Sequence, residues 1–243
     1  MDSLIIDGSV TFGGDPTGRS DCSLDTLRHA MDRHGITVGC AFSQLAVRMD
    51  PKRGNDEAIA LAAKDTQFRP VAVLDPRHSD TGAREIERCV SAGVRLFRLF
   101  PKIHQYPWVY EPLLDIWQNL QKEKAALIVP RDWTGSVTEF LRVTKPYSFV
   151  KILEGCHYWT FTEYRAALVH YPETCLMALA PNAPGFFETL VSEIGSHRIC
   201  FGSNAPIYYI GAGLMVLQHA QIAEHDRSEI LGGTMQRLLG EKP

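Results

Sequence analysis

A few short stretches of this chain concentrate side chains that bind charge or move protons. Arg98, Lys102, His104 and Tyr106 form one, and Pro130-Arg131-Asp132-Trp133 forms another. Glu154-Gly155-Cys156-His157-Tyr158-Trp159 and Ser203-Asn204 with Tyr208 follow. Asp7, Ser9 and Thr11 lie near the start, ahead of Gly13-Gly14. Glu154, His157 and Asp7 are the candidate catalytic groups, because carboxylates and imidazoles exchange protons when their surroundings tune them. Arg98, Arg131, Lys102, His104 and Asn204 are the candidate substrate-binding groups. An arginine fork pairs two oxygens of an anion at once. Gly211-Ala212-Gly213, ahead of a helical pattern, is a weaker anion cradle. Each residue also has a plain structural role open to it. Arg98 can pair a buried carboxylate, Asp7 can brace a strand, Lys102 can be a solvated loop charge, His104 and Tyr106 can pack a loop, and Asn204 can satisfy loop backbone.

Such groups act together only if the fold converges them. Short apolar runs occur at Leu4–Asp7, Ile36–Phe42, Pro70–Leu74, Val94–Phe100, Ala125–Val129, Phe149–Leu153, Thr174–Leu179 and Arg198–Phe201. Runs of this kind are typical of strands buried on both faces. Helical periods lie between them. Leu24, Leu27 and Met31 follow a possible Ser23 cap; Ala58, Ile59 and Ala62 follow Asn55 as a possible cap. Further stripes carry Ile86 and Val90, then Val109 to Leu120, then Phe186 to Ile194, with Gly211–Ala223 and Arg227–Leu239 closing the chain. This alternation over 243 residues predicts an α/β fold, a (β/α)8 TIM-like barrel, as one domain spanning residues 1–243. A doubly wound sheet is the alternative, but no G-x-G-x-x-G follows the first run. In a barrel the candidate residues fall on the loops at the C-terminal ends of the strands, where they would line one cavity.

Composition narrows the classes. The chain has 45% hydrophobic and 22% charged residues and a net charge of −3, which excludes a disordered tail and makes nucleic acid a poor partner. The six cysteines show no C-x-x-C spacing and sit mostly in apolar runs, so they read as reduced buried thiols. No apolar run approaches the length of a membrane span, and Met1-Asp2-Ser3 carries no positive n-region. The expectation is a cytoplasmic protein with a small anionic substrate, no membrane partner, and room for homo-oligomerisation.

Several motifs resemble one family. Ile5-Ile6-Asp7-Gly8-Ser9-Val10-Thr11 is similar to the D-x-H-x-H opening of the amidohydrolase superfamily, in its amidohydrolase-related (amidohydrolase 2) branch. Gly93 to Pro101 resembles that branch's fourth strand, Phe201-Gly202-Ser203-Asn204-Ala205-Pro206 its F-G-S-D-x-P, and Ile230 to Gly240 its closing helix. The resemblance implies an amidohydrolase-type barrel and metal-assisted hydrolysis or decarboxylation of small organic acids, amides or lactones. The family's metal-ligand positions correspond to Ser9, Thr11, a place near Pro130, Glu154 and Asn204. Zinc prefers imidazole, thiolate and carboxylate, and only Glu154 is a strong donor among these. The sequence therefore predicts no metal and no cofactor. An enzyme working by acid/base chemistry is the first reading. An inactive binding or assembly protein is the second, and a zinc hydrolase using Glu154, His157 and His104 is the third.

Overall fold

Alternation along the strands builds this molecule. The computed structural model describes residues 4–15, 17–18, 20–78 and 82–241, so Met1–Ser3 lie outside it. The strands are β1 (Ile6–Phe12), β2 (Val38–Ser43), β3 (Phe68–Val73), β4 (Leu96–Arg98), β5 (Ala126–Val129), β6 (Val150–Glu154), β7 (Thr174–Leu179) and β8 (Ile199–Gly202). They pair in parallel in chain order. The seam between the last and the first is closed by backbone bonds beyond β8. Asn204 donates to the Ser9 carbonyl at 2.7 Å, and Thr11 donates to the Ala205 carbonyl at 2.8 Å. The result is the expected (β/α)8 barrel, nearly closed.

Successive residues of a strand face opposite sides, so each strand feeds two layers. Cys40, Phe42, Val71, Val73, Leu96, Ile128, Ile152, Met177 and Cys200 pack together inside the barrel. Ala72, Phe97, Leu127, Leu153, Leu176 and Phe201 pack outward with the helices. Arg98, two residues after Leu96, and Glu154, two after Ile152, therefore face inward at the C-terminal rim.

The helices are α1 (Leu24–Arg33), α2 (Gln44–Arg48), α3 (Pro51–Lys64), α4 (Ala83–Ser91), α5 (Pro101–His104), α6 (Leu113–Lys122), α7 (Ser136–Val143), α8 (Phe161–His170), α9 (Phe186–Ile194), α10 (Ile210–His219), α11 (Glu224–Ser228) and α12 (Thr234–Leu238). A π-helical stretch, Glu229–Gly233, joins the last two. Ser23 caps α1 as expected, accepting from the Thr26 amide. The other expected cap is corrected. Asp50 caps α3, and Asn55 lies buried within it, bonded to both backbone atoms of Val73 and to Glu85. Gly211–Gly213 is also corrected: it is the first turn of α10 rather than a loop before it.

Candidate functional site

β1 breaks the alternation of the other strands. Its register against β2 shifts between Asp7 and Val10, a bulge that turns a different set of side chains inward. Ile6 faces the interior, yet Val10 and Phe12 join the outer layer. Ser9 is thereby carried to the barrel's centre. There it meets Arg98 from β4 and Glu154 from β6. Ser9 Oγ donates to Glu154 Oε1 at 2.9 Å and accepts from Arg98 Nη1 at 2.7 Å. Arg98 Nη2 donates to Glu154 Oε2. The guanidinium carbon lies 4.6 Å from the ring centre of Phe42 and 4.9 Å from that of Phe100, so aromatic faces cover the charge. Arg98 is 3% and Glu154 4% exposed, a deeply buried ion pair. Arg98 Nε remains buried without a hydrogen-bond partner among the described residues.

A cavity of about 370 Å³ opens above this cluster. Arg98, Arg131, Glu154, His157 and Asn204, contributed by the ends of β4, β5, β6 and β8, line it together with Tyr208. Arg131 Nη1 and His157 Nδ1 are both buried with no hydrogen-bond partner among the described residues. The His157 ring stacks on Trp159, centroids 5.8 Å apart and planes 10° apart. Burial, reinforced by the Arg131 charge, lowers the His157 pKa, so its imidazole is neutral near neutral pH. Asn204 reaches the wall from a left-handed backbone conformation, φ 58°, which asparagine tolerates better than most residues. Larger cavities lie away from this cluster, of about 670, 630 and 480 Å³, the last on the outer face of α8 beside Arg165 and Val169. The first is bounded by Gly13, Cys22 and Lys64, the second by Lys145, Phe149 and Glu173, near the N-terminal start of β6.

Three of the expected site residues stand apart from the cavity. Asp7 is fully buried beneath it, accepting from the Ser9 amide at 3.1 Å, from the Ser203 amide at 2.9 Å and from the Ser203 hydroxyl. Burial pushes its carboxyl up to about 6. These bonds place it at the seam between β1 and β8, beneath the cavity floor. Lys102 is exposed on α5, and its backbone amide donates to Asp132 at 3.2 Å. His104 is buried, its Nε2 2.8 Å from the Val47 carbonyl and its Nδ1 3.7 Å from Asp75. It holds α5 to α2, the helix after β2. Leu179 and Ala180 complete the cavity wall, and the sequence does not signal them. Nothing in their chemistry marks them; they are there because β7 ends at the same rim.

The positions that correspond to metal ligands in the resembling family do not fit a metal ion. Ser9 and both oxygens of Glu154 are engaged with each other and with Arg98. Thr11 Oγ1 donates to the Phe42 carbonyl and accepts from Gln44 Nε2. Among the described residues no three His, Cys, Asp or Glu side chains group so as to hold a metal. A guanidinium already sits among these donors.

No protein-family model and no curated protein sequence matches the chain. Solved structures do. A candidate amidohydrolase from Staphylococcus aureus superposes with a TM-score of 0.76 at 12% identity, covering 99% of this chain and 100% of that one. The 5-carboxyvanillate decarboxylase of Sphingomonas paucimobilis gives 0.76 at 12%, also over 99% and 100%. Another 5-carboxyvanillate decarboxylase, from Novosphingobium aromaticivorans and with bound manganese, gives 0.74 at 12% over 98% and 97%. At these identities the likeness shows a shared fold: the chain has the barrel of the structures that its motifs resemble.

Proposed function

We propose that this chain is an enzyme that binds a small anionic organic molecule in the rim cavity and transfers a proton on it without a metal ion. One observation carries the reading: Arg131 Nη1 and His157 Nδ1 are buried in one cavity wall with nothing to bond among the described residues. An unmet buried polar group costs about 1–3 kcal/mol, and a ligand that supplies the partner recovers it. Arg131 holds the anion, Arg98 adds positive charge from below, and Asn204 orients the ligand from the β8 side. His157, neutral at Nδ1, takes a proton from the ligand or from a water beside it, with Glu154 as the second proton-handling group. Similar structures are described as decarboxylases and as a candidate amidohydrolase, and hydrolysis or loss of a carboxyl group suits these residues. The six cysteines are free thiols, which supports a reducing compartment, the cytoplasm. No helix among the described residues is long and apolar enough to cross a membrane.

A second reading, a binding protein without turnover, is favoured by one observation: both Glu154 oxygens are already engaged. A panel of small organic acids, with binding read by thermal shift and product formation by NMR, separates the two. On a substrate from that panel, His157→Gln should lose turnover by roughly a hundredfold or more, with affinity within about threefold. Turnover and affinity both unchanged in His157→Gln and in Glu154→Gln overturn the enzyme reading.

A further inference from the structure

Structures of this fold include examples with bound manganese. In this chain the inward residues of β1, β4 and β6 converge on a guanidinium instead. Three features mark it as a built site. Its charge is answered on one side only, by Glu154, with Ser9 bonded to both groups. Phe42 and Phe100 lie over it, so its position is set by packing as well as by charge. It lines the cavity while its Nε has no partner among the described residues. A buried ion pair is seldom kept for stability, since desolvating two charges offsets most of their attraction. A fixed cation beneath a cavity does have a use: it stabilises negative charge that a bound ligand carries or develops, with no reorganisation during the reaction.

We propose that Arg98 is the resident cation of this site: clamped by Ser9 and Glu154 at the barrel's centre, it supplies the positive charge for an anionic ligand oxygen and denies the same donors to a divalent ion. This rests on the proposed function for the ligand's charge, but the clamp itself can be tested without any substrate. Arg98 is a positioning and electrostatic group here, and no covalent step is assigned to it.

The test is chemical rescue in the Arg98→Ala variant, which opens a guanidinium-sized space lined by Ser9, Glu154, Phe42 and Phe100. Melting temperature is followed with millimolar ethylguanidinium chloride, with manganese chloride, and with sodium chloride at matched ionic strength. Wild-type protein is measured in parallel, along with its metal content after dialysis against manganese. The expected result is that ethylguanidinium raises the Arg98→Ala melting temperature by several degrees and leaves wild type unchanged. Manganese should raise neither, and wild type should retain less than about one tenth of an ion per chain. Stoichiometric manganese in wild type, or equal rescue of the variant by manganese or by sodium, overturns the proposal. If Arg98→Ala does not fold, Arg98→Lys decides. It keeps the charge and loses the fork, and should bind acetate more than tenfold more weakly than wild type. Equal acetate affinity overturns the proposal. Absence of acetate binding in wild type itself contradicts the anion reading of the cavity, and the manganese content of wild type after dialysis then decides the clamp separately.

Discussion

Glu154 pairs with Arg98 and, in the proposed function, also handles a proton, and the two can be separated. It is the only carboxylate bonded to the buried Arg98 among the described residues, so Glu154→Gln leaves a guanidinium without its counter-charge. Breaking a buried pair from one side costs roughly 3–5 kcal/mol. Urea denaturation of Glu154→Gln should show a loss of that order; a change below about 1 kcal/mol contradicts the clamp described above. His157 makes a prediction in pH. Its pKa is lowered from the usual 6.5 by burial and by Arg131. If the neutral ring is the proton acceptor, activity rises with pH through the depressed value, and the acid limb of kcat/KM lies below pH 6.5. A limb above 6.5 contradicts that role. Arg98 and Glu154 are legible in the sequence as charged side chains at the ends of apolar runs, where a barrel gathers its rim groups. Ser9 is not: as a hydroxyl in a ligand position it reads as a loss, and only the bulge shows it as the bridge between the two charges.

The elements show what periodicity does and does not carry. Strand runs mark buried strands well, and β7 begins and ends as its run does. β1 departs most, running on to Phe12 because polar Ser9 and Thr11 disguise an inward face at the barrel centre. α7 and α8 do not stand out individually in the sequence. In α8 only Tyr164, Ala167 and Leu168 are buried, too narrow a stripe to be seen among polar neighbours. Asn55 misleads because asparagine commonly caps helices, whereas here its amide substitutes for a strand partner at Val73. The junction of α2 and α3 gives a direct test. A Cβ on Gly54 would lie 2.2 Å from the Ala46 backbone nitrogen. Backbone cannot move aside as a flexible side chain can, so Gly54→Ala should destabilise by about 2–3 kcal/mol or more. Asp50→Ala at the α3 cap should cost about 1 kcal/mol. Both are read from denaturant midpoints, and a neutral Gly54→Ala contradicts the close approach of the two helices.

Barrel closure depends on a seam with few backbone bonds, and Asp7 reinforces it from below. Its carboxylate spans from the Ser9 amide to the Ser203 amide and hydroxyl. Burial raises its pKa from 3.8 to about 6, so the folded chain holds this proton more tightly than the unfolded chain. The folded state is therefore favoured at low pH, and this contribution is lost as pH rises from about 4 through 6, amounting to about 3 kcal/mol. The stability of wild type relative to Asp7→Asn should fall by that order between pH 4 and pH 7. A pH-independent difference between the two proteins contradicts this assignment. The barrel follows from the alternation of apolar runs with helical periods, and the convergence of Arg98, Arg131, Glu154, His157 and Asn204 from the gathering of strand ends at one rim, so both are legible in the sequence. The exclusion of Lys102, His104 and Asp7 is not, because it depends on the turn of α5 and on the bonds that hold Asp7 at the seam.

In the proposed function the rim cavity holds a small anion on Arg131. Calorimetric titration of wild type and Arg131→Ala with the tightest-binding carboxylate of the panel tests it most directly, at fixed ionic strength. The expected result is one site per chain in wild type and a loss of roughly 1.5–3 kcal/mol in the variant, the scale of a charge-assisted hydrogen bond. Equal affinity in the two proteins, or binding that Arg131→Ala leaves intact at the same stoichiometry, contradicts it.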